Sequence, residues 1–444
     1  AAAAMKKVTG ASVVGGKYVF IRGLGERYST THLNGAELPT SDPDKKSVQL
    51  DLFPASLLDN IVTLKTFTPD KPGNFSGGVV DIGTKSFPDN FILSISTSAT
   101  YNTQSTFNRD FLLYPGGDLD WLGFDDGTRK IPDILASSNV EIPSRSSAYN
   151  EAYRNANYEP VEQLDAYSKA FNNVMAPVRR TGPIDQGFAF SIGNQFQDPL
   201  FKKTNGYVFS FTYGRNASFY DDGKRNLYKL SDAQGTTLNP QILLEDTKGS
   251  IEVNWGAIFN TGHKLSENHK LSTNFMYTKS GHSSARYQIG QWPNQYTVND
   301  TTHLFENRVL KWTERDLKSG QLRGEHFFKP LFGAKLNWSA SLAQTSQDEP
   351  DTRFFADLIT KQKDGSHHYS SSHSGFRDPA RYFRTMTEDN QNYSIDLSIP
   401  FKQWNDQQGR FKLGTSFQRV EREFRERYFS VIYNSNDSTA YTGD

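Results

Sequence analysis

From Phe91 onward the chain alternates. Phe91, Leu93, Ile95, Ala99 and Tyr101 share one side of an extended segment, and Ser94, Ser96, Ser98 and Thr100 fill most of the other. A period of two is that of a strand with one apolar and one polar face. The pattern returns at Phe188/Phe190/Ile192, at Tyr207/Phe209/Phe211/Tyr213 and at Ile251/Val253/Trp255/Ala257/Phe259. It returns again at Leu271/Thr273/Phe275/Tyr277, Leu336/Trp338/Ala340/Leu342, Tyr393/Ile395/Leu397/Ile399 and Phe411/Leu413/Thr415/Phe417. Residues 303–328 are longer and more charged. They read as one strand whose outer part stands in water, since roughly ten residues suffice to cross a hydrocarbon layer. The count predicts nine strands in residues 89–444.

The connections are of two kinds. Those at 197–205, 263–269, 329–333 and 402–410 are short, and those at 106–184, 217–248, 282–302 and 346–381 are long. They alternate along the chain. An antiparallel up-and-down β-barrel across a membrane predicts this, with short turns on one side and long loops on the other; a β-sandwich does not require it. Lys202, Lys264 and Asn405 then belong to the short-turn side, and Asp125, Arg225, Ser283 and His367 to the loop side. Residues 150–176 are polar with scattered aromatics and predict a short helix.

Residues 1–88 have a different texture. Short apolar strands at 18–21, 61–64 and 79–82 alternate with turns rich in Gly, Asn, Asp and Pro, and 54–60 predicts one helical turn. Gly23, Gly25, Gly77 and Gly78 suit positive φ or close backbone approach, and Asn34-Gly35 is a tight hairpin signal. Arg22, Glu26 and Arg27 lie beside apolar strand residues; on their own they read as a solvated surface cluster. In order come Ile21-Arg22-Gly23, Gly25-Glu26-Arg27-Tyr28, Asn34-Gly35, Asp51-Leu52-Phe53-Pro54, Ile61 and Val62 with Lys65, Pro69-Asp70, Pro72-Gly73, Gly77-Gly78-Val79-Val80-Asp81-Ile82 and Thr84.

This series, over about 65 residues, resembles the plug domain of TonB-dependent outer-membrane receptors. The resemblance implies a mainly β fold, a transmembrane antiparallel barrel with an α/β plug in its lumen. Residues 1–88 would be the C-terminal part of the plug, and 89–444 the N-terminal portion of the barrel. It also implies that Arg22, Glu26 and Arg27 are paired inside the lumen. The expected activity is TonB-dependent uptake of a ligand across the outer membrane of a Gram-negative bacterium. The partners would be outer-membrane lipid, a TonB-type energy-transducing protein, and other outer-membrane or surface proteins through the long loops.

Composition limits the alternatives. The chain has 444 residues, no Cys, and 49 basic against 49 acidic residues, so charge gives no argument for nucleic acid. No apolar run is long enough for a transmembrane helix, and barrel strands escape that test. Thirty-two Phe and 21 Tyr fit aromatic girdles at membrane interfaces. No signal peptide is visible, so an upstream segment is expected, with any TonB box in it. Further barrel strands are expected after Asp444, because an open sheet in lipid leaves an unpaired edge.

Candidate chemistry is sparse. Residues 119–127 form an acidic run without calcium-loop spacing and read as a solvated loop. His367, His368 and His373 sit in a Ser-rich stretch without supporting carboxylates and read as exposed loop residues. The run Glu421, Arg422, Glu423, Arg425, Glu426 and Arg427 reads as a strand top with cross-strand ion pairs. No hydrolase, zinc or nucleotide motif appears, so no catalytic residue, metal or cofactor is expected. A receptor-like barrel serving as a scaffold in a larger outer-membrane complex is the second reading. An enzyme stands far behind both.

Overall fold

The computed structural model describes residues 5–14, 18–25, 28–42, 48, 50, 58–66, 77–84, 88, 90–137, 139–199, 202–231, 235–297, 300–370, 378–404 and 407–431. The fold is mainly β.

The N-terminal unit holds β1 (Ala11–Val14), β2 (Tyr18–Ile21), β3 (Ser29–Leu33), β4 (Ala36–Glu37), β5 (Leu58–Leu64) and β6 (Gly78–Thr84). β1 and β2 form an antiparallel ribbon, and the other four form a sheet in the order β4-β3-β6-β5. Only β3 and β6 run parallel. Asn34 and Gly35 turn the β3–β4 hairpin at φ 49° and 87°, the pair of positive values that matches strand twist. Val19, Ile21, Leu33, Val80 and Ile82 are buried between ribbon and sheet. The strands predicted at 18–21, 61–64 and 79–82 are all present, the last two longer.

The rest builds one large antiparallel sheet. Its strands are β7 (Ile92–Thr100), β10 (Asp185–Gln197), β11 (Thr204–Leu230), β12 (Leu238–Ser266), β13 (His269–Gln291), β14 (His303–Phe328), β15 (Ala334–Lys361), β17 (Ala380–Lys402) and β18 (Gln408–Ser430). Their order across the sheet is their order in the chain, with β16 (His367–Ser370) paired to the end of β15. A small hairpin of β8 (Phe111–Leu113) and β9 (Val178–Arg180) lies within the first long connection. All nine expected strands occur. Among the described residues β7 and β18 are edges that do not pair, so the sheet is open and no closed barrel forms.

Three expected loops are corrected. Residues 217–230 and 238–248 are a strand pair that continues, through two register shifts, out to Leu230↔Leu238. The connection at 282–302 shrinks because β13 runs to Gln291. Most of 346–381 belongs to β15 and β16. Consequently Ser283, expected in a loop, is a buried strand residue. Apolar alternation reports a half-buried face, and these segments lose it where both faces become polar or covered. The antiparallel ladder needs only backbone groups and continues regardless. β12 has 29 residues, on the order of 95 Å at about 3.3 Å per residue. That is several times the roughly 30 Å hydrocarbon thickness of a bilayer.

The two faces of the sheet differ. The N-terminal unit lies against the front face. The back face carries the alternating apolar residues, with cross-strand aromatic contacts Phe190–Phe209, Phe211–Trp255, Trp255–Tyr277 and Tyr393–Phe417. Phe275, Leu342, Ile395, Leu413 and Phe417 are exposed there. Past this band β13, β14, β15, β17 and β18 turn polar on the same face, at Lys279, Lys318, Gln344, Asp389 and Arg419. The band starts at short turns tipped by Leu331, Phe332 and Trp404, all exposed.

A Cβ at residue 78 would lie 2.7 Å from Ile21 Cδ1 and 2.7 Å from the Leu64 carbonyl oxygen. Gly78→Val should therefore destabilise the N-terminal unit by about 1–3 kcal/mol through overpacking. Limited proteolysis should cut residues 5–84 sooner in the variant and leave the large sheet's digestion pattern unchanged. Equal cleavage rates in the N-terminal unit would refute the packing argument.

Candidate functional site

The first half of the site is the seat of the N-terminal unit on the front face. Most front-face side chains are polar, as alternation requires. Ser191 donates to Ser210 across β10 and β11 (2.8 Å), and Ser339 bonds Ser394 across β15 and β17 (2.8 Å). Four residues interrupt this surface: Ile258, Met276, Leu317 and Ala343 are buried and join the apolar core of the N-terminal unit. Ile258 and Met276 are direct cross-strand partners. They form an apolar centre beneath Val19, Ile21, Leu33, Leu38, Val80 and Ile82.

Around that centre the contacts are mostly amides. Asn390 and Asn392 donate to the Glu37 carbonyl (3.2 and 2.9 Å), and Gln321 donates to the Asn34 carbonyl (3.4 Å). Asn274 and Asn260 donate to Thr84 Oγ1 (3.0 and 3.4 Å). Charged groups join the ring: the Thr40 N–H donates to Glu388 Oε1 (3.0 Å), Arg422 of β18 pairs with the other oxygen of Glu388, and Arg323 of β14 lies within electrostatic reach of Asp81. Neutral bonds of this kind contribute about 0.5–1.5 kcal/mol each, because water can replace them.

The residues that carry the resemblance divide. Asn34 and Gly35 stand at the seat: Asn34 Oδ1 accepts from the Thr84 N–H (3.0 Å), and the Gly35 N–H donates to Asp81 (2.9 Å). Gly77 and Gly78 let strands approach closely. Gly23 has φ 75°, as a turn requires, whereas Gly25 has no positive φ and its nearest neighbour would be 4.0 Å away. Arg22 corrects an expectation. Its side chain is exposed and makes no hydrogen bond or ion pair among the described residues. It projects from a tight turn at φ 55°, where its charge keeps its water, and burial without a partner would cost more. Glu26, Arg27 and Pro54 lie outside the described residues, as do Asn405 and His373 and most of the turn expected at 54–60.

The second half is the long connection at 106–184, which is docked rather than solvated. It crosses the back face above the apolar band. Phe111, Leu112 and Tyr114 are buried with Ala217, Phe219, Ala285, Leu310 and Trp312 of the sheet. Two helices, Arg145–Asn155 and Glu159–Lys169, stand where one was expected. The acidic run closes on an arginine that sequence reading missed. Buried Arg129 donates to Asp120 (2.8 and 2.7 Å) and Asp125 (3.0 Å), and lies over the rings of Trp312 (4.5 Å) and Tyr114 (4.8 Å). The Asp125 N–H donates to Glu314 of β14 (2.7 Å), and Lys279 lies over Phe124 (4.3 Å).

A second buried cluster pins the far end of the connection. Asp351 accepts from Arg353 (2.9 and 2.6 Å) and from Arg381 Nε (2.6 Å). Arg381 also donates to the Asn172 carbonyl (2.6 Å), and Arg353 to that of Val174. Tyr114 donates to the Asp351 carbonyl (2.9 Å). Burial and then the Asp351 charge hold the Tyr114 hydroxyl above the ordinary phenol range, so it remains a donor. Two signals in the sequence mark this docking. Gly249 and Gly281 sit inside strands, and a Cβ there would lie 2.0 Å from the Leu112 carbonyl oxygen and 2.4 Å from Gly123 Cα. Mid-strand glycine marks such an approach of a second backbone.

The ion pairs expected in 421–427 are present, with Arg384–Glu426 and Arg422–Glu388 running between β17 and β18. His367 and His368 are exposed on β16.

No family model matches this sequence, and no curated protein does. Among solved structures, the RagAB peptide importer in its closed-closed state aligns at 11% identity and a TM-score of 0.32, over 92% of this chain and 54% of that one. A double mutant of the Serratia marcescens hemophore receptor HasR, in complex with its hemophore HasA and heme, aligns at 9% identity and a TM-score of 0.27. That alignment covers 96% of this chain and 57% of that one. The chain thus spans a little over half the length of each. At such scores the functional argument rests on the geometry above.

Asp351 sits at φ 57° in the bulge between Glu349 and Thr352, a conformation that Asn also tolerates. Asp351→Asn should therefore isolate the charge effect. It leaves two buried guanidinium groups without a counter-charge, at a cost of about 3–5 kcal/mol. Hydrogen exchange should speed up in residues 111–129 and 172–180 and stay unchanged in residues 31–38. Unchanged exchange in the docked segments would show that the cluster does not hold them.

Proposed function

We propose that this chain forms wall and internal seal of an outer-membrane receptor that imports a ligand when a TonB-type protein displaces the N-terminal unit. The observation that carries the reading is the two-faced sheet. Its back face has an apolar band that spans residues 207–213 on β11, 271–277 on β13, 336–342 on β15 and 411–417 on β18, somewhat less than the roughly 9–11 residues that a tilted strand needs to cross a bilayer. Its front face is polar and carries a small unit with its own core. A sheet of this kind has no use for an apolar exterior in water. No helix among the described residues is long and apolar enough to cross a membrane, so the crossing falls to the strands.

In this reading the front face lines a lumen and the seat closes it. A bilayer also demands partners for the edges β7 and β18, since an unpaired backbone group in hydrocarbon costs several kcal/mol. The wall therefore includes further strands between them. A scaffold within a larger surface assembly is the second reading, favoured by one observation. Tyr149, Tyr153 and Tyr158 of the helical pair are exposed, Tyr153 at 92%, and aromatic side chains so placed suit a protein partner.

The sides of the membrane can be tested with single cysteines. Lys264→Cys lies at a short turn, and Arg225→Cys and His367→Cys at the opposite end of the sheet. An impermeant thiol reagent on whole cells should label the latter two and spare the first until the outer membrane is opened. The reverse pattern would overturn the orientation. The seal is tested by deleting the N-terminal unit from the full-length protein. Sensitivity to bulky hydrophilic antibiotics should rise, and unchanged sensitivity at equal surface expression would count against a lumen closed by this unit.

A further inference from the structure

At the short-turn end of the back face, three rings on three strands are joined edge to edge. The Trp338 indole N–H of β15 donates to His326 Nε2 of β14 (3.0 Å), and His326 Nδ1 meets His269 Nδ1 of β13 (3.1 Å). The Trp338 and His326 ring planes differ by 22° with centroids 6.5 Å apart. The indole therefore lies beside the imidazole and aims along its plane, where the nitrogen lone pair is. Gly324 makes room for it. Gly324 is the cross-strand partner of Trp338, and a Cβ there would lie 2.2 Å from Trp338 Nε1 and 2.8 Å from His326 Nε2. Only glycine leaves that path across the strand open.

The bonds fix where the protons sit. A neutral imidazole carries one proton, on one of its two nitrogens. His326 Nε2 accepts from the indole, so the His326 proton sits on Nδ1 and is donated to His269 Nδ1, and the His269 proton sits on Nε2. A divalent metal held by the two Nδ1 atoms would force the His326 proton onto Nε2, against the indole N–H, so the arrangement does not suit a metal. An added proton is different. Taken at His326 Nε2, it costs only the indole bond, while the bond to His269 becomes charge-assisted and stronger. All three rings are half-buried, so water reaches them. The nearby strand charges Lys270, Glu325 and Lys335 alternate onto the front face. On the back face His263 of β12 bonds Asn205 (2.9 Å), and Glu267 and Lys329 stand in the adjoining turns. Leu336, the cross-strand partner of His326, and Phe328, edge-on to His269 (5.4 Å), complete the surround.

We propose that Trp338, His326 and His269 form an acid-released clasp. At neutral pH the clasp pins Trp338 to β14 and so ties β14 to β15 at this end of the sheet. In acid a proton passes from water to His326 Nε2, the imidazole becomes charged, and the indole is freed with no covalent bond broken. Histidine is the side chain whose charge ordinarily changes between about pH 5 and pH 8. The release follows from the sheet alone and holds whether or not the apolar band meets lipid. Where the band does, the freed indole lies at its end beside the short turns, the level at which tryptophan side chains concentrate in membrane proteins.

The test is NMR of the full chain in non-ionic detergent, with the tryptophan indole nitrogens isotopically labelled. The chain has six Trp, hence six indole signals, and Trp338→Phe identifies the one in question. That signal should lie downfield at about pH 8 and move upfield, toward the position of a solvated indole, by about pH 5, while the others stay in place. His326→Gln keeps an acceptor for the indole and does not titrate, so in this variant the signal should stay downfield throughout. A Trp338 signal unmoved by acid in the parent chain, or moved equally in His326→Gln, would overturn the proposal. So would movement of all the indole signals together, which reports loss of the sheet rather than release of one ring. The tautomer gives a check that needs no variant. Labelled histidine nitrogens should show His326 protonated on Nδ1 at about pH 8, and a proton on Nε2 would refute the clasp.

Discussion

Everything in this molecule depends on strand alternation holding over very long antiparallel ladders. Between the two edge strands the backbone donors and acceptors are satisfied by neighbouring strands, so side chains are free to answer to two environments at once. On the back face Phe190, Phe209, Ala257 and Tyr277 follow one another from strand to strand, while Ser191, Ser210 and Asn260 occupy the front. A slip of one residue would exchange the faces throughout a strand. The aromatic contacts between β10, β11, β12 and β13 make such a slip expensive, since each pair adds about 0.5–1.5 kcal/mol beyond its buried area.

The upper half of the sheet needs a second device. Above the band the ladder continues, and the back face no longer stands open. The connection at 106–184 covers it, and buried charge fixes how it does so. Asp351 between Arg353 and Arg381 leaves one surplus positive charge, which the carbonyls of Asn172 and Val174 absorb. Those carbonyls belong to the connection. The cluster is thus satisfied only while the connection is docked, and undocking would strand a charge. Arg129 works from the other side: it belongs to the connection, and its stacking partner Trp312 belongs to the sheet.

Much of this architecture was legible in the sequence. The nine strands, their order and the faces they present follow from period-two alternation, and the hairpin at Asn34-Gly35 follows from its turn chemistry. Strand ends were not legible, because residues 217–248 lose the apolar rhythm while keeping their pairing. The docked connection was missed for a different reason. Asp120, Asp125 and Arg129 look like ordinary loop charges, and long-range contacts with Trp312 and Glu314 tie them to the sheet. Gly249 and Gly281 were the readable trace of that contact. Arg22 went the other way: the resemblance implied a lumen pair, and its turn geometry sends it to solvent.

The two attachments of this chain differ in the kind of work needed to undo them. Undocking the connection exposes unpaired charge. Unseating the N-terminal unit exchanges amide bonds for bonds to water at little cost and exposes the apolar centre. Ile258, Met276 and Leu317 are fully or almost fully buried there. At about 1.5–3 kcal/mol for each large side chain, their exposure costs roughly 5–9 kcal/mol as an upper bound. With about 1.4 kcal/mol per factor of ten, the unseated state would be populated at no less than roughly one part in a few thousand to one in a few million. A unit held this way stays seated, and the side chains that hold Asn34, Glu37 and Thr84 are neutral amides. Two charged groups of the sheet also face the unit: Glu388, which remains paired to Arg422 when the Thr40 N–H leaves, and Arg323, which lies within electrostatic reach of Asp81. At Glu388 the charge that could have made release costly is already neutralised by the sheet itself.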